Sequence, residues 1–237
     1  MPASCHTPIH QSNALLHDAH APTDRVLPRR AGYGDCMTNV TIVTAHPNPE
    51  SFSRALANAY ATGARSAGAT VQTFDATELQ FDLVLRGAYT TPMADEPDLA
   101  RLRASIDGAS HVAWFFPTWW AGLPAALKGL VDRLFLPKVS FIYEGGLPKG
   151  LLKGRSTRYV ATMDSPAAWY WLAQHDALGG SFGRGTLQFV GFGPVRRNLI
   201  HSVRTLDDGA RARWLSRVEA LGVKDAAHPR QLSAVRA

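Results

Sequence analysis

Two short loops carry the residue types in this chain that could do chemistry. The first reads His46-Pro47-Asn48-Pro49-Glu50-Ser51-Phe52-Ser53. Its prolines end any regular element, and Ser51 can cap a helix beginning at Phe52. The free N–H groups of that helix start, the hydroxyls of Ser51 and Ser53 and the helix dipole together suit an anion such as phosphate. His46 can add a donor or a positive charge. Ser51 would serve equally as a plain cap, and a histidine after a strand is often structural. The second loop reads Pro117-Thr118-Trp119-Trp120-Ala121-Gly122-Leu123-Pro124. Paired tryptophans could fill a core, but adjacent residues leaving a strand cannot both point inward easily. One of them is therefore expected to line an open pocket, where a planar, electron-poor ring would stack. Ala121 and Gly122 would let backbone N–H groups approach the polar edge of such a ring, and donors of that kind stabilise charge developing on it.

The common alternatives are missing from the sequence. There is no GxxxxGK[ST] phosphate loop and no GxGxxG dinucleotide turn. A GxSxG nucleophile elbow is also absent, which argues against a serine hydrolase. The first strand ends in His-Pro, whereas a phosphoacceptor receiver would carry an acidic cluster there.

The elements that must position these loops follow from periodicity and punctuation. Residues 39–45 are β-branched and uncharged, a buried strand stopped by the first loop. A helix is expected over 52–67, with Phe52, Leu56, Ala59 and Tyr60 on one face and Gly68 as its end. A second strand spans 70–75. Residues 82–97 read mostly as loop, then a helix over 97–108 leads into an apolar strand at 111–116. Pro124 opens a helix over 124–135. An excursion at 141–143 ends in Gly145-Gly146, and a fourth strand is expected at 158–163. Residues 166–192 read as helix interrupted by glycines, 194–203 as a fifth strand, and 207–221 as a closing helix with Lys224 just past its end. Strands alternating with helices predict a single-domain α/β fold with a doubly wound, five-stranded parallel sheet. If the strand order is 2-1-3-4-5, the two unusual loops face each other across the switch point, where such sheets bind ligands.

The remaining features bound the function. The chain has 237 residues and is 46% hydrophobic, enough for one substantial core. No apolar run is long enough to span a membrane as a helix. The net charge of +6 is concentrated between Ser181 and Ala237, which hold ten Lys/Arg against four Asp/Glu. Arg211, Arg213 and Arg217 fall on the closing helix, where a solvated face is the ordinary explanation. The aromatic–basic interleaving of a single-strand binder is missing, so nucleic acid is not the expected partner. Attraction for anionic pyridine dinucleotides uses the excess at least as well. Cys5 and Cys36 both precede the first strand, so neither a disulfide framework nor a metal site is expected, and a reducing cytoplasm fits. Residues 1–36, with His6, His10, His17 and His20, read as a disordered leader, and translation is expected to start naturally at Met37. Residues 224–237 read as a flexible tail.

The stretches Thr44-Ala45-His46-Pro47-Asn48-Pro49-Glu50-Ser51-Phe52-Ser53 and Phe116-Pro117-Thr118-Trp119-Trp120-Ala121-Gly122-Leu123-Pro124-Ala125-Ala126-Leu127-Lys128-Gly129 closely resemble the NAD(P)H:quinone oxidoreductase family. That family includes diaphorases, modulators of drug activity and the ancillary oxidoreductases of potassium-efflux systems. The resemblance runs over residues 37–222 and implies a flavodoxin-like fold of about residues 37–223. It implies that His46, Ser51, Phe52 and Ser53 hold flavin phosphates and ribityl chain, and that Pro117, Thr118, Trp119, Trp120 and Ala121 border the isoalloxazine. Thr162, Met163 and Asp164 fall where the family has a further flavin loop. It also implies FAD, with FMN as the alternative, a homodimer, and NAD(P)H as hydride donor.

The chain departs from the best-known members after the fourth strand. Met163 and Asp164 stand where a Thr and a Gly belong. An active-site Tyr and His spaced six apart in those members have an imperfect counterpart in Tyr170 and His175. The activity implied is ping-pong: hydride passes from NAD(P)H to the flavin, then to a quinone or similar acceptor, with Tyr170 and His175 as hydrogen-bond or proton donors. The competing reading is a flavin-binding regulatory subunit of a potassium-efflux-type transporter with little turnover of its own.

Overall fold

Strand β1 (Asn39–Thr44) lies inside the sheet with five consecutive buried, uncharged residues, so neither of its faces is solvated. The protein is described by a computed structural model covering residues 38–94 and 96–227. The expectations for the leader, Met37 and residues 228–237 fall outside the described residues. After β1 come α1 (Phe52–Ser66), β2 (Thr70–Asp75), α2 (Pro97–Gly108), β3 (His111–Pro117) and α3 (Ala125–Leu134). They are followed by β4 (Phe141–Glu144), β5 (Leu147–Gly150), β6 (Ser156–Thr162) and α4 (Ala167–Leu172). A π-helical segment (Gly179–Gln188), β7 (Val195–Ile200), a 3-10 turn (Val203–Thr205) and α5 (Asp208–Ala227) complete the order.

The main sheet has the order β2-β1-β3-β6-β7, parallel throughout. This is the doubly wound, five-stranded arrangement expected from the sequence. Side chains alternate across it. Val112, Trp114 and Phe116 of β3 enter one core with Leu102 of α2, Leu127 and Leu130 of α3, and Phe182 of the π-helical segment. Ala113 and Phe115 enter the other, with Leu56 and Tyr60 of α1 and Val218 of α5. Both faces of the sheet are thus covered, and burial of each large apolar side chain contributes roughly 1.5–3 kcal/mol.

Strand β6 is buried at all seven positions although it reads Ser-Thr-Arg-Tyr-Val-Ala-Thr. Thr157 and Arg158 are tolerated there because they are partnered. Thr157 Oγ1 accepts from Trp114 Nε1 at 2.9 Å and donates to the Val112 carbonyl at 2.7 Å. Arg158 makes two hydrogen bonds to Asp225, at 2.5 and 3.0 Å.

Three expectations change. The excursion at 141–143 is the antiparallel hairpin β4–β5, closed by Gly145 and Gly146 with φ of 58° and 80°, a conformation that favours glycine. The glycine-rich stretch after β6 divides into α4, a turn, and the π-helical segment. The closing helix runs to Ala227, so Lys224 lies within it and residues 224–227 are not tail. Gly222 directly follows the expected end at Leu221. It serves for close packing, because a Cβ there would lie 2.2 Å from the Tyr60 carbonyl oxygen of α1. Asp225, bonded to Arg158 and to the Tyr60 hydroxyl, holds the last turns down. Among the described residues no helix is long and apolar enough to cross a membrane.

Candidate functional site

The loops leaving β1, β3, β6 and β7 meet at the C-terminal edge of the sheet around a cleft of about 330 Å³. His46, Ser51, Phe52, Ser53, Pro117, Thr118, Trp119, Thr162, Met163 and Asp164 line it, together with Asn48, Val203 and Arg211. Adjacent β1 and β3 end here and their crossover helices lie on opposite faces, so the cleft occupies the switch point.

The first loop is a built turn. Asn48 N–H donates to His46 Nδ1 at 3.0 Å, which fixes the imidazole with Nε2 as its remaining polar atom. Asn48 Oδ1 accepts from Glu50 N–H at 2.8 Å, and the Asn48 carbonyl accepts from Ser51 N–H at 3.2 Å. Ser51 Oγ caps α1 by accepting from Arg54 N–H at 3.3 Å. Ser51 is thus a cap, and its hydroxyl proton is still available to a ligand. Phe52 and Ser53, in the first helical turn, have N–H groups without intrahelical acceptors. Ser53 Oγ lies 2.9 Å from Thr162 Oγ1 and ties the start of α1 to the end of β6.

The second loop is a two-residue reversal. Trp119 N–H donates to the Gly122 carbonyl at 3.2 Å and Gly122 N–H to the Trp119 carbonyl at 2.9 Å. Trp120 and Ala121 between them have φ of 52° and 58°. Left-handed backbone at two consecutive non-glycine residues costs on the order of 1–3 kcal/mol each, and such strain concentrates at functional sites. The reversal leaves Trp119 half-exposed on the cleft wall, with its ring 6.1 Å from that of His46. Neither tryptophan enters the core. Trp120, expected to border a bound ring, projects from the tip at 103% exposure, and neither it nor Ala121 lines the cleft.

Thr118 Oγ1 is buried against this cleft and has no hydrogen-bond partner, although the Thr118 N–H donates to the Thr162 carbonyl at 2.7 Å. A buried hydroxyl left unbonded is costly, so it marks where the polar edge of a ligand would make the missing bond. A larger concavity, about 800 Å³, runs along the edge strand β2 and includes Asp75, Glu78 and Asp98. Size does not favour it, because those carboxylates are already engaged by Arg54 and Arg101.

Arg211 was assigned by its helical spacing to a solvated face, and the packing of α5 brings it to the cleft instead. Its Nη2 donates to the Val203 carbonyl at 2.9 Å and its Nε to the Leu206 carbonyl at 3.2 Å. The guanidinium carbon sits 5.1 Å from the centre of the Phe52 ring. No local signal marks it, because its neighbours Arg213 and Arg217 share the same spacing.

The expected donors are not on the cleft. Tyr170 is fully buried; its hydroxyl donates to Asp176 Oδ1 at 3.1 Å and accepts from Leu178 N–H at 3.2 Å. Burial raises its phenol to about 12, against the Leu178 bond that lowers it. His175 lies on an exposed turn with φ of 47°. Close to the loop after β6 the structure places His201, whose Nδ1 is 3.2 Å from the Ser165 carbonyl oxygen and whose ring is 5.5 Å from Tyr170. Met163 N–H donates to the Ile200 carbonyl at 2.9 Å, and Asp164 pairs with Arg204 at 2.9 Å. These bonds anchor the loop after β6 to β7 and to the turn that follows it.

A family model described as a flavodoxin-like fold matches residues 38–221. An NAD(P)H oxidoreductase of Haemophilus influenzae, itself described as uncharacterized, is 29% identical over 184 residues, covering 73% of this chain and 88% of its own. The ribosyldihydronicotinamide dehydrogenase [quinone] of Mus musculus is 24% identical over 220 residues, covering 80% of this chain and 94% of its own. Among solved structures, an NAD(P)H:quinone oxidoreductase from Methanothermobacter marburgensis superposes with a TM-score of 0.66 at 21% identity, covering 81% of this chain and 98% of that one.

Proposed function

We propose that this chain, which belongs to the flavodoxin-like fold family, is a flavin-dependent NAD(P)H oxidoreductase that delivers electrons to a quinone or similar acceptor in a ping-pong cycle. The observation that carries the reading is the unbonded Thr118 hydroxyl beside Trp119, across the cleft from the open start of α1. An aromatic wall, an orphaned hydroxyl and an anion-binding helix start are the parts a flavin needs. Bound flavin would supply the two-electron chemistry between dihydronicotinamide and acceptor.

The chain's own residues divide the remaining work. Ser51, Ser53, the N–H groups of Phe52 and Ser53, and His46 Nε2 would hold the phosphate end, while Arg211, fixed on Phe52, adds positive charge beside it. Trp119 would cover the ring, and Thr118 would hydrogen-bond its polar edge. Thr162, Met163 and Asp164 would close the third side. In this reading Tyr170 braces the turn carrying His175, and His175, which does not line this cleft, would donate only to a site shared across the proposed homodimer. FAD is the flavin implied by the resemblance, with FMN as the alternative. A homodimer belongs to the same proposal, with the protruding Trp120 as a contact.

The test is direct. The purified protein is expected to show a visible flavin band, to release one flavin identifiable by chromatography, and to turn over menadione with NADPH. A colourless protein that neither FAD nor FMN reconstitutes overturns the proposal. A flavin-loaded protein without menadione turnover supports the regulatory reading instead.

A further inference from the structure

We propose that Arg204 recognises phosphate on the hydride donor, so that the donor is a phosphate-bearing pyridine dinucleotide and not a bare dihydronicotinamide nucleoside. The inference rests on the flavin-oxidoreductase reading and deepens it. Two relatives are named for donors that differ in this respect, NAD(P)H in one case and ribosyldihydronicotinamide in the other.

Arg211 lines the cleft, Arg204 adjoins its lining and Arg197 lies farther back on β7, and their commitments differ. Arg211 is spent on two backbone carbonyls. Arg197 makes contacts of 2.5 and 2.6 Å to the two oxygens of Asp176 and lies 5.2 Å from the centre of the Trp171 ring. Arg204 follows Val203, a cleft-lining residue, and pairs at 2.9 Å with Asp164, which also lines the cleft. The side chains of this pair are 84% and 56% exposed. Exposed pairs of this kind contribute little, because water competes for both ions. A guanidinium on phosphate makes charge-assisted, often bidentate bonds, roughly twice as strong as neutral ones. The Asp164 contact is charge-assisted as well, but it is exposed and weak, so a phosphate reaching the rim can take the Arg204 side chain in exchange. The loop survives the exchange, because Arg204 N–H separately donates to Asp164 Oδ1 at 3.2 Å. The rim is thus an exchangeable ion pair, with the guanidinium held ready by a carboxylate.

The pyrophosphate and the 2′-phosphate share this chemistry, and three donors separate them. Flavin-loaded protein and its Arg204→Ala variant are reduced with NADPH, NADH and N-benzyl-1,4-dihydronicotinamide, which has no phosphate. Arg204→Ala is expected to lower kcat/KM for NADPH about tenfold, the loss of one charge-assisted contact, while the value for the phosphate-free donor holds. An equal loss with NADH points to the pyrophosphate, and a loss confined to NADPH to the 2′-phosphate. Arg204→Lys is expected to recover part of the loss, as a point charge without the fork. Equal losses for all three donors, or no loss for NADPH, overturn the assignment while leaving the enzyme reading intact. A wild-type flavoprotein that none of the donors reduces overturns the enzyme reading and this assignment together.

Discussion

At the N-terminal ends of the central strands, buried charged groups pair in one network that leaves His111 Nε2 unbonded; at the C-terminal ends, the buried Thr118 hydroxyl is left unbonded beside a cleft. Arg158 and Asp225 face each other at 2.5 Å, the Tyr60 hydroxyl donates to Asp225 at 2.9 Å, and Arg158 Nη1 donates to Asn198 Oδ1 at 2.7 Å. His111 Nδ1 lies 2.7 Å from Ser156 Oγ, and its Nε2 stays 3.6 Å from Asp225. Burial depresses His111 to about 4, so it is neutral at neutral pH and the ion pair belongs to Arg158 and Asp225. Burial pushes the Asp225 carboxyl up, but Arg158, His111 and the Tyr60 hydroxyl together outweigh it and hold the group below the usual carboxylate value. Across the sheet, Thr118 keeps an unbonded hydroxyl and Trp120 and Ala121 keep a strained backbone. One end carries a charged network, and the other carries strain and an unbonded hydroxyl at the wall of a cleft.

The largest effect expected from breaking the charged network comes from Arg158→Ala. It leaves the Asp225 carboxylate buried without its main partner, a change that costs about 3–5 kcal/mol. Urea unfolding should show this loss. A variant that unfolds at the wild-type midpoint would mean that the network contributes little.

Acid should attack the same end. His111 titrates near 4 when folded, against an ordinary value of about 6.5. Between those values the unfolded chain takes up a proton that the folded chain refuses, so stability falls as pH drops from about 6.5 towards 4. The loss is on the order of 3 kcal/mol. Asp225 adds a further loss as pH falls through its own depressed value. His111→Gln should flatten the first part of the profile, and an unchanged slope would remove His111 from the account.

At the cleft the variants should move binding more than folding. Trp119→Ala is expected to weaken flavin retention about tenfold, as one stacking wall is lost. Trp120→Ala should do less in a single subunit, because that ring stands in solvent. Equilibrium dialysis of released flavin ranks the two, and a larger effect at Trp120 would place the ring elsewhere or bring a second subunit into the site.

The smallest expected effect has opposite signs in the two measurements. Thr118→Val removes an unsatisfied hydroxyl and should stabilise the flavin-free protein by about 1 kcal/mol while weakening flavin binding several-fold. Loss of stability in that variant would mean that the hydroxyl has a partner.

How much was legible differed by region. Strands β1, β2 and β3 were readable nearly to the residue, because uncharged β-branched and aromatic runs end at Pro, Gly or Asp. The loops at 46–53 and 117–124 were readable for the same reason: prolines and tryptophans are conspicuous, and they follow strands directly. Arg211 was not legible, since helical spacing gives a solvated arginine and a cleft arginine the same pattern. Nor was the burial of Tyr170, whose spacing from Thr162 said nothing about the rotation of α4. The end of α5 was misjudged because its last turns are held by Asp225 on Arg158 and Tyr60, partners far away in the sequence.

Local sequence was enough for the alternating strands and helices of a doubly wound sheet and for the two unusual loops that follow its first and third strands. Those features rest on local rules: burial periodicity, proline punctuation and capping act within a few residues. The tertiary structure alone decided which tryptophan lines the cleft, that Arg211 and not Tyr170 belongs to its wall, and that Arg204 waits at the rim on Asp164. Each of these depends on distant segments packing together, and a side chain's exposure and partners are set by neighbours that its own stretch of chain does not encode.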